Sequence, residues 1–347
     1  MRGLIGFVTS CIPWLLMTEP ADLKGSRRTK NLIIDTDLYS DVDDAAALLL
    51  AATSSRVNLM AVNINVASSY SAVAASAILT HYGHSFAEVP IGIRRPLTNE
   101  SFFDAWTFEL GEYASKVAYH YADPGRGGLM WENAEDAWDP VTLYRRVLAD
   151  AEDGSVTIAS IGFLENLSGL LNSTADETSP LNGPDLIAAK VAELVIMGGE
   201  YPSGHEFNFW GDNPLTTAHV VNNWQGNMVF SGFEMGGNVL SGENLINHGP
   251  PSDPVRRAYV WYTYGEARFS WDPLTILYAI DGLGDIFEYA NEYGYNHVHP
   301  NGSNQWIDDE RVTNQHFLRL AVSNATAAMK LDRLLLDGAR SVVGKMK

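Results

Sequence analysis

Residues 31–45 read NLIIDTDLYSDVDDA. The first five form a short apolar run that stops at acids, so Asn31–Asp35 reads as a buried strand. Ala45–Ala52 (AAALLLAA) follows and is a strong helix former. Around this junction lie Asp35, Asp37, Asp41, Asp43 and Asp44, five carboxylates within ten residues. Asp43 and Asp44 fall at the start of the expected helix, where the dipole tolerates anions. That does not account for five acids at once, because like charges this close raise one another's pKa. A hard divalent cation would offset the repulsion, and oxygen-only donors favour Ca²⁺ or Mg²⁺. The spacing is not that of an EF-hand, which needs a glycine at loop position six. A solvated acidic turn with a capping role is the plainer alternative. The position of the acids at the carboxyl end of an apolar strand weighs against it.

Working outward, strand and helix alternate. Leu59–Val66 reads as a strand, Ser71–His81 as an alanine-rich helix and Val89–Ile93 as a strand. Leu143–Ala151 reads as a helix, Val156–Ile161 as a strand and Leu186–Glu193 as a helix. Leu194–Met197 is a strand that ends in Gly198-Gly199. Loops are expected near 122–140, 174–184 and 247–254. This order predicts an α/β fold: a mostly parallel, Rossmann-like central sheet with helices on both faces, in a single domain over residues 31–347. In such a sheet the active site lies beyond the carboxyl ends of the strands.

The composition excludes several partners. The chain has 347 residues, 42 Asp+Glu against 23 Lys+Arg, and a formal net charge of −19. A nucleic-acid backbone binder would carry a basic footprint instead. Polybasic attachment to anionic lipid is disfavoured for the same reason, and no segment after the amino terminus is apolar enough to span a bilayer. The single cysteine, Cys11, allows no intrachain disulfide. Residues 3–17 (GLIGFVTSCIPWLLM) follow Arg2 and are broken by Pro13. They resemble a secretory signal h-region without a clear cleavage site. Residues 1–30 therefore read as a leader and polar linker, and both a secreted and a cytoplasmic location stay open. Five glycosylation sequons, at Asn99, Asn166, Asn172, Asn301 and Asn324, add little to the secreted case.

Two enzyme families resemble the acidic segment. An apolar strand followed by Asp-x-Asp is similar to the haloacid-dehalogenase-like phosphotransferases, in which Asp35 would be the nucleophile of a Mg²⁺-dependent phosphatase. Those carry Thr or Val four residues after the first Asp, where this chain has Tyr39. The segment also resembles the opening of the nucleoside hydrolases, Asp-x-Asp, a short loop, then Asp-Asp-Ala, with a loop about two residues longer here. Later stretches favour the second family. Met197-Gly198-Gly199 with Glu206-Phe207-Asn208 looks like its Met-Gly-Gly … Glu-Phe-Asn pair. Trp271-Asp272-Pro273 looks like its late Asp-Pro motif, and Ile161-Gly-Phe-Leu-Glu165-Asn166-Leu like its Gly-Pro-Leu-Thr-Asn-Leu turn. The resemblance runs over roughly residues 31–337.

The resemblance implies Ca²⁺-dependent hydrolysis of the N-glycosidic bond of a ribonucleoside. It implies Asp37 as metal ligand and general base, Asp44 and Asp272 as metal ligands, and the backbone carbonyl of Glu165 as another. Asp43, Glu206 and Asn208 would bind ribose hydroxyls, with Met197 approaching the sugar through its backbone. Asp41 could join the metal shell. Family members assemble as dimers or tetramers, so a homo-oligomer is implied. Three departures stand out. The family's ribose-contacting Asn falls on Ser68, with Asn63 and Asn65 nearby. The Asn expected before Glu206 is missing. Trp271 stands where pyrimidine-tolerant members carry His, which resembles the purine-preferring members that stack aromatic rings on the base. Trp131, Trp210 or Tyr201 would supply the second ring. His205 and His120 are alternative acids for the leaving base. Asp272 could instead merely cap a helix ahead of Pro273, and a non-catalytic nucleoside- or Ca²⁺-binding homologue is the remaining alternative.

Overall fold

β1 (Lys30–Thr36) is flanked on both sides by parallel partners, β2 (Val57–Ile64) and β4 (Val156–Ile161). Its side chains alternate between two apolar layers. Leu32 and Ile34 join one buried cluster, and Ile33 joins the other. A strand apolar on both faces must be covered on both, which is the condition of a central strand in a parallel sheet. The computed structural model describes residues 29–39, 41–101 and 110–342. The apolar run at 3–17 and Cys11 lie outside the described residues.

The main sheet also holds β3 (Ile91–Ile93), β5 (Val191–Met197), β7 (Met228–Ser231), β10 (Phe287–Tyr289) and β13 (Gln315–Leu320), in the order β10-β13-β7-β5-β4-β1-β2-β3. Every pairing in it is parallel except that of the edge strand β10 with β13. A three-stranded sheet of β11 (Tyr295–Val298), β12 (Asn304–Ile307) and β6 (Ser203–Gly204) and a small ribbon of β8 (Leu240–Ser241) and β9 (Arg268–Phe269) lie outside it. The expected mostly parallel α/β sheet is therefore present, in one domain. Among the described residues, no helix is long and apolar enough to cross a membrane.

The helix Asp43–Thr53 is buried from Asp43 to Ala52. Its alanines and leucines leave no polar face, so it can only sit inside the protein. It packs against the helix Trp271–Asp281, and both start at the edge where β1, β4 and β5 end. Two expected elements shift. The helix placed over Leu186–Glu193 runs from Gly183 to Lys190, because the Asn182 side chain caps it by accepting from the Asp185 N–H. Val191–Glu193 then open β5, as suits a β-branched start. The stretch 122–140 contains two short 3₁₀ turns, Pro124–Arg126 and Trp131–Asp136.

Candidate active site

The chain leaves β1 at Thr36 and immediately places Asp37 in the floor of a cavity of about 870 Å³. The Thr36 hydroxyl turns back, receives the Leu38 N–H at 3.1 Å and donates to the Asp44 carboxylate. This fixes the loop between strand and helix. Asp43 and Asp44 occupy the first turn of the buried helix. From across the site, the Asp272 N–H donates to Asp43 Oδ2 at 3.1 Å. Carboxylate oxygens of Asp43, Asp44 and Asp272 all lie within 4.8 Å of one another, and all three residues are buried. Burial pushes each of these carboxyls well above the usual range. The neighbouring carboxylates push them further: Asp41 is the largest such contribution for Asp43, Asp37 for Asp44 and Asp43 for Asp272.

That geometry fits a cation. Oxygens bound on opposite sides of a Ca²⁺ at about 2.4 Å each are about 4.8 Å apart at most. Among the described residues, no lysine or arginine forms an ion pair with Asp43, Asp44 or Asp272. The donor set is hard oxygen throughout, and the protein supplies no equal positive charge of its own. Asp272 does not cap its helix: the residue before the helix is Ser270, and no side-chain cap bond forms there.

Asp37, Asp43, Asp44, Ser68, Met197, Glu206, Asn208, Trp271 and Asp272 all line this one cavity. Glu165 does not. Its carboxyl turns to the Thr216 hydroxyl at 2.9 Å and, by burial and the charge of Asp212, is pushed up to about 8. The same turn reaches the cavity through Ile161 and Phe163 instead. Its glycine is required sterically. A Cβ on Gly162 would come within 2.5 Å of the Asp37 nitrogen and 2.8 Å of its Oδ1.

The Gly198-Gly199 pair is more than a strand exit. A Cβ on Gly198 would meet the Phe209 ring at 2.3 Å. Gly199 holds a positive φ of 77° and donates its N–H to Glu206 Oε2 at 3.0 Å. The other oxygen of Glu206 receives the Asn208 N–H at 2.9 Å. Burial still raises this carboxyl to about 7. Asn208 Nδ2 donates to the Met197 carbonyl at 3.2 Å, so the two residues expected at the sugar are already joined.

Asn63 and Asn65 do not replace the ribose Asn. Asn63 donates to the Pro140 carbonyl, and Asn65 bridges from Asp35 Oδ1, at 2.7 Å, to the Phe163 N–H. Ser68 itself reaches the cavity while donating to the Glu100 carbonyl at 2.7 Å. Asp35 is fully buried and takes hydrogen bonds from Asn65, Tyr144 and Asn166. It does not line the cavity, which removes it as a phosphatase nucleophile. The same bonds bury the Asn166 sequon.

Asp41 is held by Arg268, whose Nε lies 3.0 Å from Asp41 Oδ1. This arginine, packed over the rings of Tyr262, Phe269 and Trp271, was not legible in the sequence. The available signal was an acid in the loop without an assigned partner. Of the candidate stacking rings, Trp210 lines the cavity. Trp131 packs on Tyr70 with ring centroids 4.6 Å apart, and Tyr201 stacks on Phe317 at 4.9 Å. Phe233, unmarked by any motif, packs beside Trp271 at the cavity wall. His205 lines the cavity, whereas His120 stacks on Trp261 outside it.

A central parallel sheet with an oxygen-rich pocket at its carboxyl edge is an α/β architecture with its candidate site where such sheets place one. Residues 32–331 match the family described as inosine-uridine preferring nucleoside hydrolase. The chain belongs to that family and is an N-ribosyl hydrolase. Solved structures agree on the fold. A plant nucleoside hydrolase is 19% identical, with a TM-score of 0.61 over 88% of this chain and 99% of its own. An inosine-uridine preferring nucleoside hydrolase from Bacillus anthracis is 15% identical, with a TM-score of 0.62 over 88% and 99%. A purine-preferring ribonucleoside hydrolase from Gardnerella vaginalis is 14% identical, with a TM-score of 0.60 over 90% and 99%. No curated protein matches the chain in sequence.

Proposed function

We propose that the protein hydrolyses ribonucleosides to ribose and free base with Ca²⁺ held by Asp37, Asp44 and Asp272, and that it prefers purines. The observation that carries this reading is that Asp44 and Asp272 meet in one buried cluster with Asp43, and that Asp37, in the same cavity, is near enough for its charge to raise the carboxyls of both Asp44 and Asp272; Asp43 thus borders the cation as well as the sugar. Glu165, the remaining ligand implied by the resemblance, lies outside the cavity lining and is left out of the proposed set. A bound Ca²⁺ would supply Lewis acidity and charge compensation. Asp37 then accepts the proton of the attacking water. Asp43, Glu206 and Asn208 hold the ribose hydroxyls, and Ser68 and the Met197 backbone border the sugar. As the C1′–N bond lengthens, positive charge grows on the sugar, and the surrounding carboxylates favour it.

The purine preference is supported by the rings of Trp271, Phe233 and Trp210 on the cavity wall. Stacking on an aromatic side chain contributes about 1–3 kcal/mol per base in nucleic-acid systems, and a purine offers the larger face. The test is release of free ribose from inosine, guanosine, adenosine and uridine, with Ca²⁺ and with chelator. Absence of ribose from all four in Ca²⁺ would overturn catalysis, and equal turnover of uridine and inosine would overturn the purine preference. Nucleoside binding by calorimetry without ribose release would favour the non-catalytic binder, for which the serine at position 68 is the specific argument.

A further inference from the structure

We propose that His205 is the acid that protonates the departing base, an assignment that rests on the nucleosidase reading above. Breaking the C1′–N bond leaves an electron pair on the base, and a general acid is the ordinary way to neutralise it. The obvious groups are engaged. The Trp271 indole N–H donates to the Phe233 carbonyl at 2.8 Å. Both oxygens of Glu206 accept backbone N–H groups. The Tyr39 hydroxyl donates to the Glu100 carbonyl at 3.4 Å.

His205 is the one histidine that lines the cavity among the described residues. The chain on its carboxyl side is fixed by the two bonds to Glu206. Its Nε2 lies 3.0 Å from the Asn301 carbonyl oxygen. A carbonyl only accepts, so Nε2 carries a hydrogen and Nδ1 is the basic nitrogen of the neutral ring. In the imidazolium, the Asn301 contact holds the Nε2 proton and leaves the Nδ1 proton for transfer. The ring stacks on Trp210, with centroids 5.5 Å apart and planes at 17°. The residue is exposed, so water can return the proton after each turnover.

The step balances. The C1′–N9 bond breaks with its electron pair on the base, and the Nδ1 proton of His205 passes to N7 of a purine. The water oxygen bonds to C1′ and gives its proton to Asp37. Both side chains then exchange with solvent, so nucleoside and water become ribose and neutral base.

The experiment compares His205→Gln with the unaltered protein on two substrates in Ca²⁺: inosine, and 4-nitrophenyl β-D-ribofuranoside, whose phenolate leaves without a proton. The ratio of inosine to 4-nitrophenyl riboside turnover should fall about 100-fold, with the loss in kcat rather than KM. The unfolding midpoint should stay with that of the parent, since the ring is exposed. An unchanged ratio overturns the assignment, whether both rates persist or both fall together. If the unaltered protein hydrolyses neither substrate, the nucleosidase reading itself is overturned, and this assignment with it.

Discussion

Asp35 and Asp44 are both buried carboxylates on one short segment, yet the protein treats them differently. Asp35 is surrounded by donors: Asn65 at 2.7 Å, Tyr144 at 2.8 Å and Asn166 at 3.1 Å. It ties the end of β1 to the segment after β2 and to two helices. Asp44 receives the Thr36 hydroxyl and otherwise faces Asp37, Asp43 and Asp272. A buried acid with its donors supplied is part of the scaffold. A buried acid set among other acids marks a place for something the chain does not provide.

The contrast can be broken at several points. The largest effect is expected at the base: Asp37→Asn should lower kcat by about 10²–10⁴-fold, measured as ribose release in saturating Ca²⁺. Next, the two buried acids should respond with opposite signs to substitution. Asp35→Ala strands buried donors, each costing about 1–3 kcal/mol, so denaturant unfolding should show a loss of roughly 3 kcal/mol or more. Asp44→Asn relieves repulsion, so the metal-free protein should melt higher, while the rise in melting temperature on adding Ca²⁺ should shrink or vanish. A lower melting point for metal-free Asp44→Asn would erase the distinction.

The pH dependence sharpens the same point. Carboxyls raised in the folded state bind protons more tightly there than in the unfolded chain. The stability they contribute is therefore full below the unfolded value and is lost as pH rises through the folded one. Burial lifts Asp35 and Glu206 to about 7, and Asp43, Asp44 and Asp272 also lie well above the usual range. The metal-free protein should accordingly be less stable at pH 8 than at pH 6, and Ca²⁺ should narrow the gap. Thermal melts at the two pH values with chelator would show it. A smaller effect is expected at Asp41 and Arg268, which are partly exposed. Their double-mutant cycle should give a coupling of about 1 kcal/mol, in keeping with a partly screened pair.

Much of this was legible in the sequence because it is local. The apolar run before Asp35 and the alanine-rich stretch after Asp44 carry the strand and helix that build the cavity floor. The Met-Gly-Gly and Trp-Asp-Pro stretches gave the order in which distant segments return to it. What stayed hidden depends on packing between segments. Nothing near Arg268 announces that it closes on Asp41, and nothing near Phe233 places it beside Trp271. Asn65 could not be told from a sugar-binding residue until its amide was seen to serve Asp35. The C-terminal strands β7, β10 and β13 are short or mixed in polarity, and pairing in the sheet, not their own pattern, makes them strands.

The most direct test is a single series on the purified protein with inosine: ribose release in Ca²⁺, after chelation, and after Ca²⁺ is returned. Hydrolysis that appears, vanishes and returns is the expected result. Ribose release undiminished by the chelator, or none in any of the three conditions, would contradict a cation-assembled nucleosidase site.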